Sequence, residues 1–153
     1  MTRFGLRVAG YGDAGCGLRV EEGKVAAEKE GVLKSYKDLE IYQLSYELAV
    51  KVHKFTLGLP KYEQYEEGRQ VRKSSKGISS CIVEGYGRKK YKADFIKFLI
   101  YSHASCDESI VHLNFLNDTH ALDIEELNYF LEKYDELGRK INKYIQYVEK
   151  EWK

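Results

Sequence analysis

The sequence predicts an all-α protein, an antiparallel up-down-up-down four-helix bundle preceded by a flexible N-terminal extension. Three observations predict it. Apolar residues recur at steps of three and four over four long stretches of residues 34–153. The 153 residues contain a single proline, and no stretch keeps the alternation of a strand. The segments between the periodic stretches are short, and short connections leave successive helices antiparallel. The length suits one folded domain with its own core. Its 43% hydrophobic and 32% charged residues are those of a soluble, folded chain.

Residues 1–33 stand apart as a Gly-rich extension. They hold seven of the thirteen glycines (Gly5, Gly10, Gly12, Gly15, Gly17, Gly23, Gly31) and no long periodicity. The run from Gly10 to Gly17 contains Gly-x-Gly pairs. A phosphate-binding loop needs a strand before it and a helix directly after it, and neither pattern is present. The segment reads as a flexible leader, with a short helix open to Glu21–Glu30. Met1 is the only methionine. A natural start at Val25, Val32 or Leu33 through an alternative codon is a hypothesis that the intact mass of the natively expressed protein settles.

Residues 34–153 form the bundle domain. Ser35-Tyr-Lys-Asp38 has the spacing of a capping box, with Asp in place of Glu. It predicts a helix to about Leu57, with Ile41, Leu44, Leu48, Val52 and Phe55 as its buried stripe. Gly58-Leu-Pro60 ends that helix. The second helix runs from Tyr62 to Gly85, with Val71, Ser75, Ile78 and Ile82 inward. Gly85 and Gly87, which tolerate positive φ, are the expected stop. The third helix, from Asp94 to about Leu116, turns Phe95, Leu99, Ser102, Cys106, Ile110, Leu113 and Leu116 inward. Asn117-Asp-Thr-His120 is turn chemistry, and Asp123-Ile-Glu-Glu126 is a second capping box. The fourth helix runs toward Trp152 on Leu127, Phe130 or Leu131, Tyr134, Leu137, Ile141, Tyr144 or Ile145, and Val148. Tyr42, Tyr46, Tyr101 and Tyr129 lie off or beside these stripes and favour self-association through a helical face.

Charge is spread unevenly. Arg69, Arg72, Lys73 and Lys76 share one face of the second helix, roughly 140° from its apolar face at about 100° per residue. Arg88, Lys89, Lys90 and Lys92 follow it. From Arg69 to Lys97 there are nine lysines and arginines against two acids (Glu84, Asp94), a local balance of +7 in a chain of net charge +1. Residues 98–153 carry six basic and eleven acidic side chains. Two readings stay open. In one, those eight cations (Arg69, Arg72, Lys73, Lys76, Arg88, Lys89, Lys90, Lys92) contact the phosphates of RNA or DNA, with Tyr86 and Tyr91 able to stack on unpaired bases. Arg72→Glu with Lys73→Glu then weakens binding to all sequences and leaves helicity intact. In the other, the same cations pair with acids of a neighbouring helix or subunit in a protein-interaction scaffold.

An enzyme is not expected, because no acid–base or nucleophilic constellation is present. No cofactor or metal is expected either. The bundle metal motif Glu-x-x-His is absent, and Glu108 and His112 share a face without a repeat partner. His53, His103 and His120 are scattered. Cys16, Cys81 and Cys106 form no Cys-x-x-Cys pair and read as free thiols of a reducing cytoplasm, the latter two buried. Ser74, Ser75, Ser79 and Ser80 permit close helix approach. Glu84 sits where the helix dipole disfavours an acid. An ion pair with Arg88, or with a basic residue of another helix, is one reading and a direct function the other. No apolar run approaches the roughly 20 residues of a membrane span, and no signal pattern opens the chain. The expected location is cytoplasmic, with no membrane partner.

These residues carry a family resemblance. Tyr36-Lys-Asp-Leu39, Leu59-Pro60 with Glu63, and Gln70, Arg72, Lys73, Ile78 and Ile82 stand in order. Glu84-Gly85, Gly87-Arg88, Phe95, Phe98-Leu99, Ser105 and Glu108 complete the run. It resembles the four-helix-bundle proteins encoded by intervening sequences of bacterial 23S rRNA genes. The accessory variability proteins of diversity-generating retroelements share that fold. The match covers about Ser35 to Lys153. Gly77, Cys81 and Val83 depart from the usual Ser, Asn and Ala. The resemblance implies a homo-oligomeric ring, typically a pentamer with a central channel, and an association with rRNA or other nucleic acid. In the retroelement branch it implies a reverse transcriptase as partner. That branch is strongly basic, so a net charge of +1 favours the rRNA-intervening-sequence branch or a generic one. The family has no established catalytic activity.

Overall fold

Four long helices build the molecule, a computed structural model that describes residues 35–119 and 124–152. A 3-10 turn, Tyr36–Asp38, leads into α1 (Glu40–Leu57). A short α2 (Lys61–Tyr65) and a long α3 (Glu67–Gly87) follow. Then come α4 (Lys92–Thr119) and α5 (Ile124–Glu151). No strand occurs among the described residues. The short links alternate the long helices up and down. Helix α3 packs against α1 and α4, and α5 closes the bundle against α4 and α1. Leu48, Val52, Ile78, Ile82, Phe95, Leu99, Tyr134 and Leu137 meet in one continuous core. The expected stripes are there, with local shifts. Leu44, Phe55, Ile110 and Leu131 are half-buried, while Phe130 and both Tyr144 and Ile145 are buried. The N-terminal extension, Cys16, His120 and the Asp123 capping box lie outside the described residues.

The Ser35 box forms, but it closes the 3-10 turn rather than α1. The Ser35 N–H donates to Asp38 Oδ2 at 2.9 Å, and the Lys37 N–H donates to Ser35 Oγ at 3.3 Å. The next residue, Leu39, is the N-cap of α1 and has no side-chain cap. It is buried instead, so apolar anchoring sets the start of α1.

The expected second helix is two helices. The chain breaks at Glu66, whose ψ of −109° is not helical, and side chains satisfy the backbone groups exposed there. Glu63 Oε1 accepts from the Glu67 N–H at 3.3 Å and caps α3. Arg72 donates from Nη1 to Thr56 Oγ1 at 3.1 Å and from Nη2 to the Gln64 carbonyl at 2.7 Å. Gln64 Nε2 donates to the carbonyls of Leu57 (3.0 Å) and Leu59 (2.8 Å). Helix ends leave such groups orphaned, and a cation beside terminal carbonyls is favoured by the helix dipole. A Cβ at Gly68 would lie 2.8 Å from the Glu63 carbonyl, so the elbow closes only around glycine. Periodicity alone runs straight through this elbow and does not signal it.

The glycine stop is also corrected. Helix α3 runs through Gly87, and its C-cap is Arg88 at φ −101°. What Gly85 provides is proximity. A Cβ there would sit 2.9 Å from Phe98 Cβ and 3.2 Å from Phe95 Cδ2, whereas one at Gly87 would meet nothing. Close α3–α4 packing continues through Ser102, whose hydroxyl donates to the Ile78 carbonyl at 3.2 Å. The Ser109 and Ser74 hydroxyls lie 2.8 Å apart. Gly85→Val is expected to destabilise by about 1–3 kcal/mol, the usual cost of overpacking. Gly87→Ala is expected to cost nothing. Urea unfolding of the two variants checks the contrast.

Candidate nucleic-acid interface

The eight cations singled out by sequence have different fates. Arg69 and Lys73 stand exposed on the outward ridge of α3, and Lys90 stands exposed in the α3–α4 loop. Their side chains have no hydrogen-bond or ion-pair partner among the described residues. Lys76 Nζ lies 3.3 Å from His53 Nδ1 on α1. Burial, then Lys76 and Arg72, hold the His53 imidazole below its ordinary pKa. Arg88 reaches back to Glu84 at 3.3 Å and covers the Phe98 ring at 5.0 Å. Both ion-pair partners are half exposed, so the pair contributes little to stability. Lys89 lies 4.0 Å from the Tyr86 ring centroid and donates to its hydroxyl at 2.8 Å. Lys92 donates to the Glu149 carbonyl at 2.8 Å.

Arg72 is different. Its guanidinium is half-buried and committed to the elbow. A charge reversal there changes the fold before it changes a surface, so it cannot report on phosphate contacts alone. Tyr86 is only 8% exposed and packs edge-on to Tyr36 and Phe95, so it presents no face for stacking. Tyr91 is 64% exposed beside Lys90 and Lys92. Tyr46, on α1, is 57% exposed. In the sequence it lies beside the core stripe and outside the basic stretch, and its signal is the outward run Tyr46, Val50, Lys54, four residues apart each time.

No acid of α5 pairs with the α3 ridge among the described residues. Asp135 pairs with Arg139 (2.7 Å), Glu136 with Lys133 (2.9 Å), and Lys140 reaches Glu40 on α1 (2.6 Å). Helix α5 packs against α4 and α1, and its acids Asp135 and Glu136 pair with basic residues of α5 itself.

His112 Nδ1 lies 2.7 Å from Glu67 Oε2 and ties α4 to the start of α3, with Glu108 at 3.7 Å. No group of three or more His, Cys, Asp or Glu is placed to hold a metal among the described residues. The Cys106 thiol is buried and donates to the Tyr134 carbonyl at 3.1 Å. Burial, with a smaller push from Asp107 and Asp135, raises it to about 12. Burial and then Glu84 raise Cys81 as well. At pH 8 Cys106 is expected to resist alkylation until the protein is unfolded, as read by peptide mass mapping. The unfolded thiol ionises near pH ~8.5 and the folded one near 12. The native state thus holds more protons in that window, and stability falls as pH rises through it, by up to about 1.4 kcal/mol per pH unit.

The segment from the 3-10 turn to α5 also identifies the family. A family model described as 23S rRNA-intervening sequence protein matches residues 37–143. The chain belongs to that family. A solved structure is similar in fold, a protein of unknown function from the S23 ribosomal protein family of Bacteroides thetaiotaomicron. The two align with a TM-score of 0.64 and 20% identity, over 69% of this chain and 95% of that chain. At that identity the likeness shows the bundle alone. No curated protein matches the chain. Among the described residues no helix is long and apolar enough to cross a membrane.

The residues that carry the family resemblance have physical roles in the bundle. Leu39 buries the start of α1, Glu63 caps α3, Arg72 clamps the elbow, and Gly85 admits Phe98. Most of the signature builds the bundle. The free cations Arg69 and Lys90 lie outside it, and Lys73 lies within it.

Proposed function

We propose that this member of the 23S rRNA-intervening sequence family is a non-enzymatic binding module for RNA or DNA. The ridge of α3 and the α3–α4 loop contact phosphates through Arg69, Lys73, Lys76, Arg88, Lys89, Lys90 and Lys92. The observation that supports this reading most is the state of the cations. Arg69, Lys73 and Lys90 are exposed without partners among the described residues, in a stretch with a balance of +7. A surface of this kind attracts polyanions mainly through the backbone, with little sequence readout. Fluorescence anisotropy with short labelled RNA and DNA at low salt tests it. Binding to many sequences with similar affinity is expected, and failure to bind either polymer at low salt refutes it.

A second reading, a self-assembling scaffold, is favoured by α4. Ile100, Val111 and Phe115 are exposed on its outward face, with Asp107, Glu108 and Asp118 around them. Apolar residues with an acidic fringe suit the cationic α1–α3 side of a second copy, which would build the ring expected from the resemblance. An accessory role beside a reverse transcriptase belongs to the same reading. Val111→Glu with Phe115→Glu is expected to reduce an oligomer to monomers by light scattering. An unchanged mass removes α4 from the contact.

A further inference from the structure

We infer that the groove between α1 and α3 seats an unpaired nucleobase against Tyr46, so that the protein prefers single-stranded to double-stranded nucleic acid. The inference rests on the nucleic-acid reading above. The groove is lined by Tyr46, Val50, His53, Lys54, Lys76 and Ser79, with Ala49 at its floor. Its polar and apolar parts are sorted. The Ser79 and Ser80 hydroxyls turn back to the Lys76 carbonyl at 3.1 and 3.0 Å. That leaves Tyr46, Ala49 and Val50 as an apolar wall. Besides the Tyr46 phenol, the charged and titratable groups that line the groove are Lys54, Lys76 and His53, with no carboxylate among them. The nearby acid Glu47 is held by Lys51 at 2.7 Å on another face of α1.

An occupant must therefore bring a flat or apolar group and negative charge together. A nucleotide does so, because its base can lie on the Tyr46 ring while its phosphates reach Lys54 and Lys76. The ring is steadied for this by Tyr42, at a centroid distance of 6.0 Å. A duplex offers phosphates to the ridge but keeps its base faces stacked, so it gains the cations and not the tyrosine. Stacking on an aromatic side chain contributes enough to be read by alanine substitution. The acid-fringed α4 face of a second copy has related chemistry, and the test separates it from nucleic acid.

The experiment is an anisotropy titration of the full chain with one labelled strand, alone and annealed to its complement. Wild type, Tyr46→Ala, Tyr46→Phe and Lys73→Glu are compared, with the mass of each checked by light scattering. The single strand is expected to bind more tightly than the duplex. Tyr46→Ala is expected to weaken single-strand binding by roughly 5- to 150-fold, the usual range for one stacked base, and to leave the duplex unchanged. Tyr46→Phe keeps the ring and is expected to keep the affinity, while Lys73→Glu lowers both. Tyr46→Ala without effect, or with equal loss on both ligands, overturns the inference and leaves the phosphate reading standing. A changed mass with unchanged affinity assigns the groove to subunit contact and overturns it too. Wild type that binds neither ligand overturns both.

Discussion

Lys73→Glu combined with Lys90→Glu is expected to lower the affinity proposed for RNA and DNA alike by roughly 10- to 100-fold at low salt. The thermal midpoint stays where it was. The two lysines sit on different elements, α3 and the loop after it, and neither holds another side chain. Their reversal therefore removes attraction from both parts of the surface without unpairing anything in the fold. Exposed positions of this kind usually change stability by less than about 0.5 kcal/mol. The loss should be uniform across sequences, because phosphates position and bases specify. Anisotropy at fixed salt, with a thermal melt of each sample, reads both halves of the result. A lowered melting point without an affinity change would mean that these lysines hold the molecule together instead.

Arg72→Ala gives the opposite pattern, a loss of about 2–4 kcal/mol in urea unfolding with a smaller effect on binding. Its guanidinium donates to Thr56 Oγ1 and to the Gln64 carbonyl. Hydrogen bonds from a charged group contribute up to about 1.5–3 kcal/mol each, less for a guanidinium that solvent still reaches, and a buried acceptor left unpaired adds its own cost. Thr56 is fully buried, so water cannot replace the lost donor there without loosening the end of α1. Arg72→Lys should recover little, because one ammonium cannot reproduce the two-pronged geometry. Equal unfolding midpoints for wild type and Arg72→Ala would remove the elbow from the account of the fold.

These variants also show which parts of the molecule were legible in the sequence. Burial at steps of three and four follows from helix geometry, so the four stripes and the bundle could be read directly. The glycine stop could not. Gly85 is required by Phe95 and Phe98, which are distant in register and become neighbours only once α3 and α4 pack. The elbow was hidden for the same reason, since Arg72 from α3 donates to the Gln64 carbonyl of α2 and to the hydroxyl of Thr56 on α1. The basic stretch was visible as a charge sum, but a sum does not tell a cation used inside the fold from one left outside. Arg72 and Lys73 are adjacent in sequence and opposite in use. Tyr86 and Tyr46 make the same point among aromatics. Of the two tyrosines inside the cationic stretch, Tyr86 is buried and Tyr91 is exposed, while Tyr46, which also faces solvent, comes from α1.

The central claim is that the ridge and loop meet phosphates, and the salt dependence of binding tests it most directly. The logarithm of the affinity of the full chain for a single strand is measured against the logarithm of salt concentration. Each phosphate contact contributes a slope of about −0.7. The three unpartnered cations alone give about −2, and all seven surface cations about −5. A slope between those values, reduced by about 1 or more in Lys73→Glu with Lys90→Glu, is the result this account predicts. A slope near zero, or a slope that the two reversals leave unchanged, would contradict it.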